Sequence, residues 1–139
     1  MSKVVVTITL TNLSDLILKR ARVRKNKPRQ VEVEALVDTG ATRLYLKPSV
    51  IEKLGLEPVR KVLSRTTNGS VERNPYAEVK LELLGRSDTF QVVEVTEDVP
   101  NLIGQVPLEV LDFVVDPKGQ RLLGNPAHGG VQMTEEYAA

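Results

Sequence analysis

Three stretches of this chain alternate apolar and polar residues with a period of two. Val4, Val6, Ile8 and Leu10 alternate with Thr7 and Thr9; Val31, Val33, Ala35 and Val37 alternate with Glu32 and Glu34. Ala77, Val79, Leu81 and Leu83 alternate with Glu78, Lys80 and Glu82. Successive side chains of a strand point to opposite faces, so each stretch predicts a strand with one buried and one solvated face. Gln91 to Val95 is a further strand candidate, and Phe113-Val114-Val115 a shorter one. No long window repeats apolar residues at helical spacing. Pro48 fits a first helical position, with Ile51 and Leu54 on one face and Gly55 as the stop. Pro107 opens a second short helix that pairs Leu108 with Leu111. Asn68-Gly69 is the strongest hairpin signal, because both residues tolerate the positive φ of a type I′ turn; Gly85 and Asp116-Pro117-Lys118-Gly119 mark two more turns. These patterns predict a mostly antiparallel β-domain with two short helices. They place the domain over residues 1–123 and a Gly-, Pro- and acid-rich tail over 124–139.

Composition removes several classes of chemistry. The 139 residues suit one domain. The absence of cysteine excludes disulfides, thiolate zinc sites and thiol nucleophiles, and the single histidine, His128, leaves no second imidazole for a His-based metal site. No metal or other cofactor is expected. A net charge of +1 argues against a global field that recruits nucleic acid or membrane. No apolar run approaches the roughly 20 residues of a membrane span. The segment from Met1 to Ile8 lacks a small-residue cleavage signature, so the expected setting is soluble and cytoplasmic.

One segment points to chemistry. In Ala35-Leu36-Val37-Asp38-Thr39-Gly40-Ala41-Thr42 an apolar strand runs directly into a carboxylate, and Gly40 lets the backbone turn. A carboxylate at the end of a buried run is costly unless it is hydrogen-bonded or used. Turn amides and the Thr39 and Thr42 hydroxyls are the nearby donors. A plain Asx-turn ending a strand is the bland alternative.

The context of Asp38 decides between these readings. Asp38-Thr39-Gly40-Ala41 after an aliphatic strand resembles the catalytic loop of the retropepsin-like (clan AA) aspartic proteases, and the chain looks like a single-domain, bacterial-type member related to the retroviral enzymes. Leu102-Ile103-Gly104 before a short helix matches a second hallmark of that family. Between the two lies a hairpin signal, Thr67-Asn68-Gly69-Ser70, where the family carries a flap over its substrate. The resemblance covers about Val31 to Leu123. It implies an all-β acid-protease fold: one closed, barrel-like lobe with a flap hairpin and one or two short helices. It also implies an aspartic endopeptidase in which two aspartates share a proton and activate water, with no metal. Only one such aspartate motif is present, so the resemblance implies a homodimer with two copies of Asp38 in one site and a polypeptide as substrate. By the same resemblance, Thr39 bonds across the dimer axis, Gly40 brings the backbone close to substrate, and the Thr42 position supports the carboxylate. Retroviral members often pair an acid and an arginine at the positions of Thr42 and Gln105; both are neutral here. The reading from another class is a catalytically silent dimeric peptide-binding module with the same fold.

The remaining signals have ordinary readings. Lys19, Arg20, Arg22, Arg24, Lys25, Lys27 and Arg29 form a basic run without an aromatic residue to stack a base. It is read as the solvated face of a hairpin turning near Lys27, with Arg22 facing Glu32 and Arg20 facing Glu34, rather than as a nucleic-acid site. Arg65 and Glu72 are expected to oppose each other across the flap. His128 is read as an exposed loop histidine.

Overall fold

The structure, a computed structural model, describes residues 3–59 and 75–133 in full, and the backbone pairing of 62–66 and 69–73. In chain order its elements are β1 (Val4–Asn12), α1 (Leu13–Arg20), β2 (Gln30–Val37), β3 (Leu44–Leu46), α2 (Pro48–Leu54), β4 (Val62–Thr66), β5 (Gly69–Arg73), β6 (Pro75–Leu83), β7 (Arg86–Glu94), β8 (Leu102–Ile103), α3 (Gln105–Leu111), β9 (Phe113–Asp116) and β10 (Arg121–Gly124). A 3₁₀ turn over Pro126–His128 follows. Six strands close a barrel in the order β1-β2-β8-β3-β7-β6, and β6 pairs back to β1. The fold is all-β with three short α-helices, the single-lobe acid-protease architecture that the sequence implies. No described helix is long and apolar enough to cross a membrane.

Period-two alternation forms the barrel because it gives each long strand an inward apolar face. Ile8, Leu10, Val79, Leu81, Val92 and Ile103 are fully buried. Truncating Ile8, Leu10, Leu81 or Ile103 to alanine would cost about 2–5 kcal/mol. The pairing is not purely antiparallel: β2 runs parallel to β8, and β3 parallel to β7. These two- and three-residue strands are too short for an alternation signal, so the sequence did not predict them. Helix α2 begins with Pro48 at its first turn and ends at Gly55 (φ 64°) in the left-handed conformation, as its sequence signals require.

Three expectations are corrected. The basic run is not one arm of a hairpin. Residues Leu13–Arg20 form helix α1, capped by the Asn12 side chain, which accepts from the Asp15 amide at 3.0 Å. Strand β2 instead pairs with β1, placing Glu34 opposite Thr7 and Glu32 opposite Thr9, so neither acid faces Arg20 or Arg22. The β4–β5 ladder pairs Thr66 with Gly69, Arg65 with Ser70 and Leu63 with Glu72. The partner of Arg65 is therefore two residues from the expected one, Ser70 instead of Glu72; Thr67 and Asn68 lie outside the described residues. His128 is not an exposed loop residue, since its side chain keeps only 10% of its accessible surface. Its Nδ1 lies 2.6 Å from Asp112 Oδ2.

The stretch from Asn125 to Met133 is fastened to the end of α3. Asp112, the left-handed C-cap of that helix, accepts from the Asn125 side chain at 3.2 Å and from the Met133 amide at 2.9 Å. Arg86 donates to the carbonyls of Leu111 (2.9 Å) and Asp112 (2.7 Å), two acceptors that the helix leaves without partners. The same guanidinium lies 4.6 Å from the Phe113 ring centroid and also bonds the Gly130 carbonyl.

Candidate active site

Asp38 sits one residue past the end of β2, where the barrel opens. Its amide donates to the Ile103 carbonyl at 2.9 Å, extending the parallel β2–β8 ladder by one bond. Position 38 is thus fixed by β8, a two-residue strand wedged between β2 and β3. The side chain is half-buried, and its Oδ1 accepts the Gly40 amide at 2.9 Å. The Ala41 amide reaches back to the Asp38 carbonyl at 3.1 Å, closing the turn. A Cβ at Gly40 would lie 3.2 Å from Asp38 Oδ1, tighter than an ordinary van der Waals contact, so glycine keeps that approach open. Of the expected donors the turn amide is used. Among the described residues neither the Thr39 nor the Thr42 hydroxyl bonds the carboxylate, and both residues are exposed.

The second hallmark packs directly beneath this loop. The amides of Gly104, Gln105 and Val106 donate to the carbonyls of Arg43 (2.8 Å), Ala41 (2.8 Å) and Thr42 (2.9 Å). Free amides at the start of α3 therefore hold the strand that leaves the Asp38 turn. The approach is so close that a Cβ at Gly104 would sit 2.6 Å from both the Arg43 carbonyl oxygen and the Thr42 carbonyl carbon. Leu102, Ile103 and Gly104 thus act together: two strand residues position Asp38, and a glycine allows the helix to dock. Among the described residues no hydrogen bond joins Thr42 to Gln105: the Gln105 amide donates to Ala41 and the Thr42 carbonyl accepts from Val106, while Gln105 Nε2 donates to Glu109 Oε1 at 2.9 Å.

Asn101, immediately before β8, was not singled out by the sequence. It is buried, its Oδ1 accepts the Lys47 amide (2.9 Å), and its Nδ2 donates to the Glu34 carbonyl (3.0 Å). Its own carbonyl accepts the Leu36 amide at 2.8 Å. Asn101 therefore ties β2, β3 and β8 together behind the Asp38 turn. Its place beside Leu102-Ile103-Gly104 was the only signal, because a lone asparagine carries no pattern.

Two cavities flank the loop. One of about 260 Å³ is lined by Ala41, Tyr45, Val95, Thr96, Val99 and Leu102. The other, about 370 Å³, opens between Thr42, Arg43, Phe90 and Gln91, where Arg43 donates to Gln91 Oε1 at 3.3 Å. Among the described residues no group of three His, Cys, Asp or Glu side chains could hold a metal.

This is a half-buried carboxylate on a backbone-clamped turn, open to solvent and bordered by mostly apolar cavities, an arrangement suited to activating water beside a bound chain. Residues 21–126 match the family model described as aspartyl protease, a span that contains the Asp38 turn, β8 and α3. No curated protein matches the sequence. The match covers most of the chain and includes both hallmarks, so the chain belongs to the aspartyl protease family, within the retropepsin-like clan.

Proposed function

We propose that this protein is an aspartic endopeptidase whose single site is built from the Asp38 turns of two identical chains. The observation that carries the reading is the Asp38 turn itself: an intact carboxylate, bonded by the Gly40 amide and left half-open at the barrel end. The fold is one lobe with one such turn, so a second carboxylate has to come from a second copy about a two-fold axis.

The chemistry follows from electrostatics. Two carboxylates about 4 Å apart repel by about 4 kcal/mol at an effective dielectric of 20, equivalent to about three pKa units. One ionises readily while the other keeps its proton, and the pair titrates as a unit. The ionised member takes a proton from a water as it attacks the peptide carbonyl; the protonated member donates to the carbonyl oxygen. Thr39, exposed beside the axis, serves as the cross-dimer bond. The β4–β5 hairpin serves as the flap. It binds extended peptide through backbone bonds, while the cavities beside Ala41 and Arg43 read alternate side chains.

The test is cleavage of a diverse peptide mixture between pH 3 and pH 7 by wild type and by Asp38→Asn. Cleavage by wild type alone, with the variant still folded and dimeric, is expected. The alternative, a silent dimeric peptide-binding module, predicts peptide binding without cleavage by either protein. A strictly monomeric chain at all concentrations would end the shared-site reading.

A further inference from the structure

The charge of this protein is segregated, which its near-neutral total conceals. Between Leu13 and Arg29 lie seven cations and one acid, a net of +6 in a chain whose total is +1, so the remaining residues carry −5. The one acid, Asp15, is buried and engaged inwardly: its carboxylate accepts from Arg29 Nε (2.7 Å) and Nη2 (3.0 Å) and lies 3.2 Å from Arg24 Nη1. Lys19, Arg20, Arg22, Lys25 and Lys27 are exposed, and among the described residues none of them forms an ion pair.

Aliphatic side chains stand among these cations. Ile17, Leu18 and Val23 keep 53%, 41% and 73% of their accessible surface. The loop after α1 gathers them: the Val23 and Arg24 amides both donate to the Leu18 carbonyl (3.0 and 3.1 Å), and Lys19 Nζ donates to the Lys25 carbonyl (2.6 Å). Arg22 takes a left-handed φ of 61° to make the turn. The Asp15 clamp fixes this patch to the barrel. Strand β2 starts beside the patch at Gln30 and ends at Val37, next to Asp38. Eight strand residues span about 25 Å, so the patch and the Asp38 turn lie at opposite ends of the barrel.

We propose that the Ile17–Lys27 end of the barrel docks on an anionic lipid bilayer and leaves the Asp38 end facing away from it. Clustered cations gain from an anionic headgroup layer, and exposed aliphatic side chains among them gain from entering the interface. A polyphosphate such as nucleic acid would reward only the cations, and no aromatic residue between Leu13 and Arg29 offers a stacking surface. The total charge of +1 argues against recruitment to a membrane surface, but the separation of charges outweighs it.

The experiment is sedimentation of the full chain with vesicles of phosphatidylcholine, with or without about 30% phosphatidylserine, at about 0.1 M salt. Binding to the serine-containing vesicles alone is expected. Arg20→Glu with Lys27→Glu should weaken it by about tenfold or more, and Leu18→Ser with Val23→Ser by severalfold at unchanged charge. All four positions are exposed and outside the Asp15 clamp, and a thermal unfolding curve checks that each variant is folded. Absence of binding to anionic vesicles, equal binding to neutral ones, or undiminished binding by the charge-reversed variant overturns the proposal. Tighter binding to a DNA duplex that is indifferent to the serine substitutions also overturns it, in favour of a nucleic-acid surface.

Discussion

Asp15 and Gly104 show how much single side chains decide here. Asp15 is buried beneath the basic run, and the hydrogen bond from Arg29 is the largest influence on its carboxyl. Burial opposes that influence, and the outcome is a pKa lowered to about 2. A lowered carboxylate pKa stabilises the fold above the ordinary range near pH 4, and that contribution is lost as pH falls toward 2. Arg29 is half-exposed and solvent screens part of the interaction, so the contribution is on the order of 1 kcal/mol. Asp15→Asn should flatten the stability profile over that window, as read by urea unfolding at stepped pH. It should also cost about 2 kcal/mol near neutrality, because two guanidinium groups lose their partner. Gly104→Ala should be harsher. The added methyl group would meet backbone at 2.6 Å, which cannot move without displacing the strand that leaves the Asp38 turn. A loss of about 2–4 kcal/mol in urea unfolding, together with loss of cleavage, is expected.

Among the elements, α3 has a double role. Its first amides hold Ala41, Thr42 and Arg43, and its C-cap Asp112 holds the stretch from Asn125 to Met133. The hydrogen bond to His128 is the main reason that the Asp112 carboxyl lies below the usual range; burial opposes it, and Asn125 and the Met133 amide reinforce it. Being lowered, this carboxyl favours the docked stretch above the ordinary carboxylate range and releases it as pH falls below its own value. His128→Ala should therefore make residues 125–133 susceptible to limited proteolysis at neutral pH while the barrel stays intact. If the cleavage pattern is unchanged, His128 does not hold that stretch. The helical pattern of α1 was missed because eight residues complete little more than two turns, and a dense basic run obscures Leu13, Leu16 and Ile17.

For the molecule as a whole, the proposed shared site makes activity a property of association. Cleavage rate should rise faster than linearly with enzyme concentration where dimer is scarce. An equimolar mixture of wild type with Asp38→Asn should lower activity per wild-type chain to about half, since random pairing puts half of the wild-type chains in mixed dimers. Activity unchanged by mixing would show that one Asp38 suffices. The proposed docking on a bilayer concentrates chains on a surface and should lower the total concentration at which this steep regime ends.

The sequence by itself determined the long barrel strands β1, β2 and β6, the α2 boundaries and the turn that carries Asp38. Each depends on local physics: period-two burial, proline and glycine at helix ends, and a carboxylate stranded at the end of an apolar run. The Leu102-Ile103-Gly104 hallmark was also legible, though only through resemblance, because two strand residues carry no periodicity. Tertiary structure alone decided what those residues do. The parallel β2–β8 and β3–β7 pairings, the role of Asn101 and the burial of His128 all depend on partners far apart in the chain. The same is true of charge: composition gives a near-neutral total, and only the folded arrangement shows that the cations gather at one end and the carboxylate of the candidate site at the other.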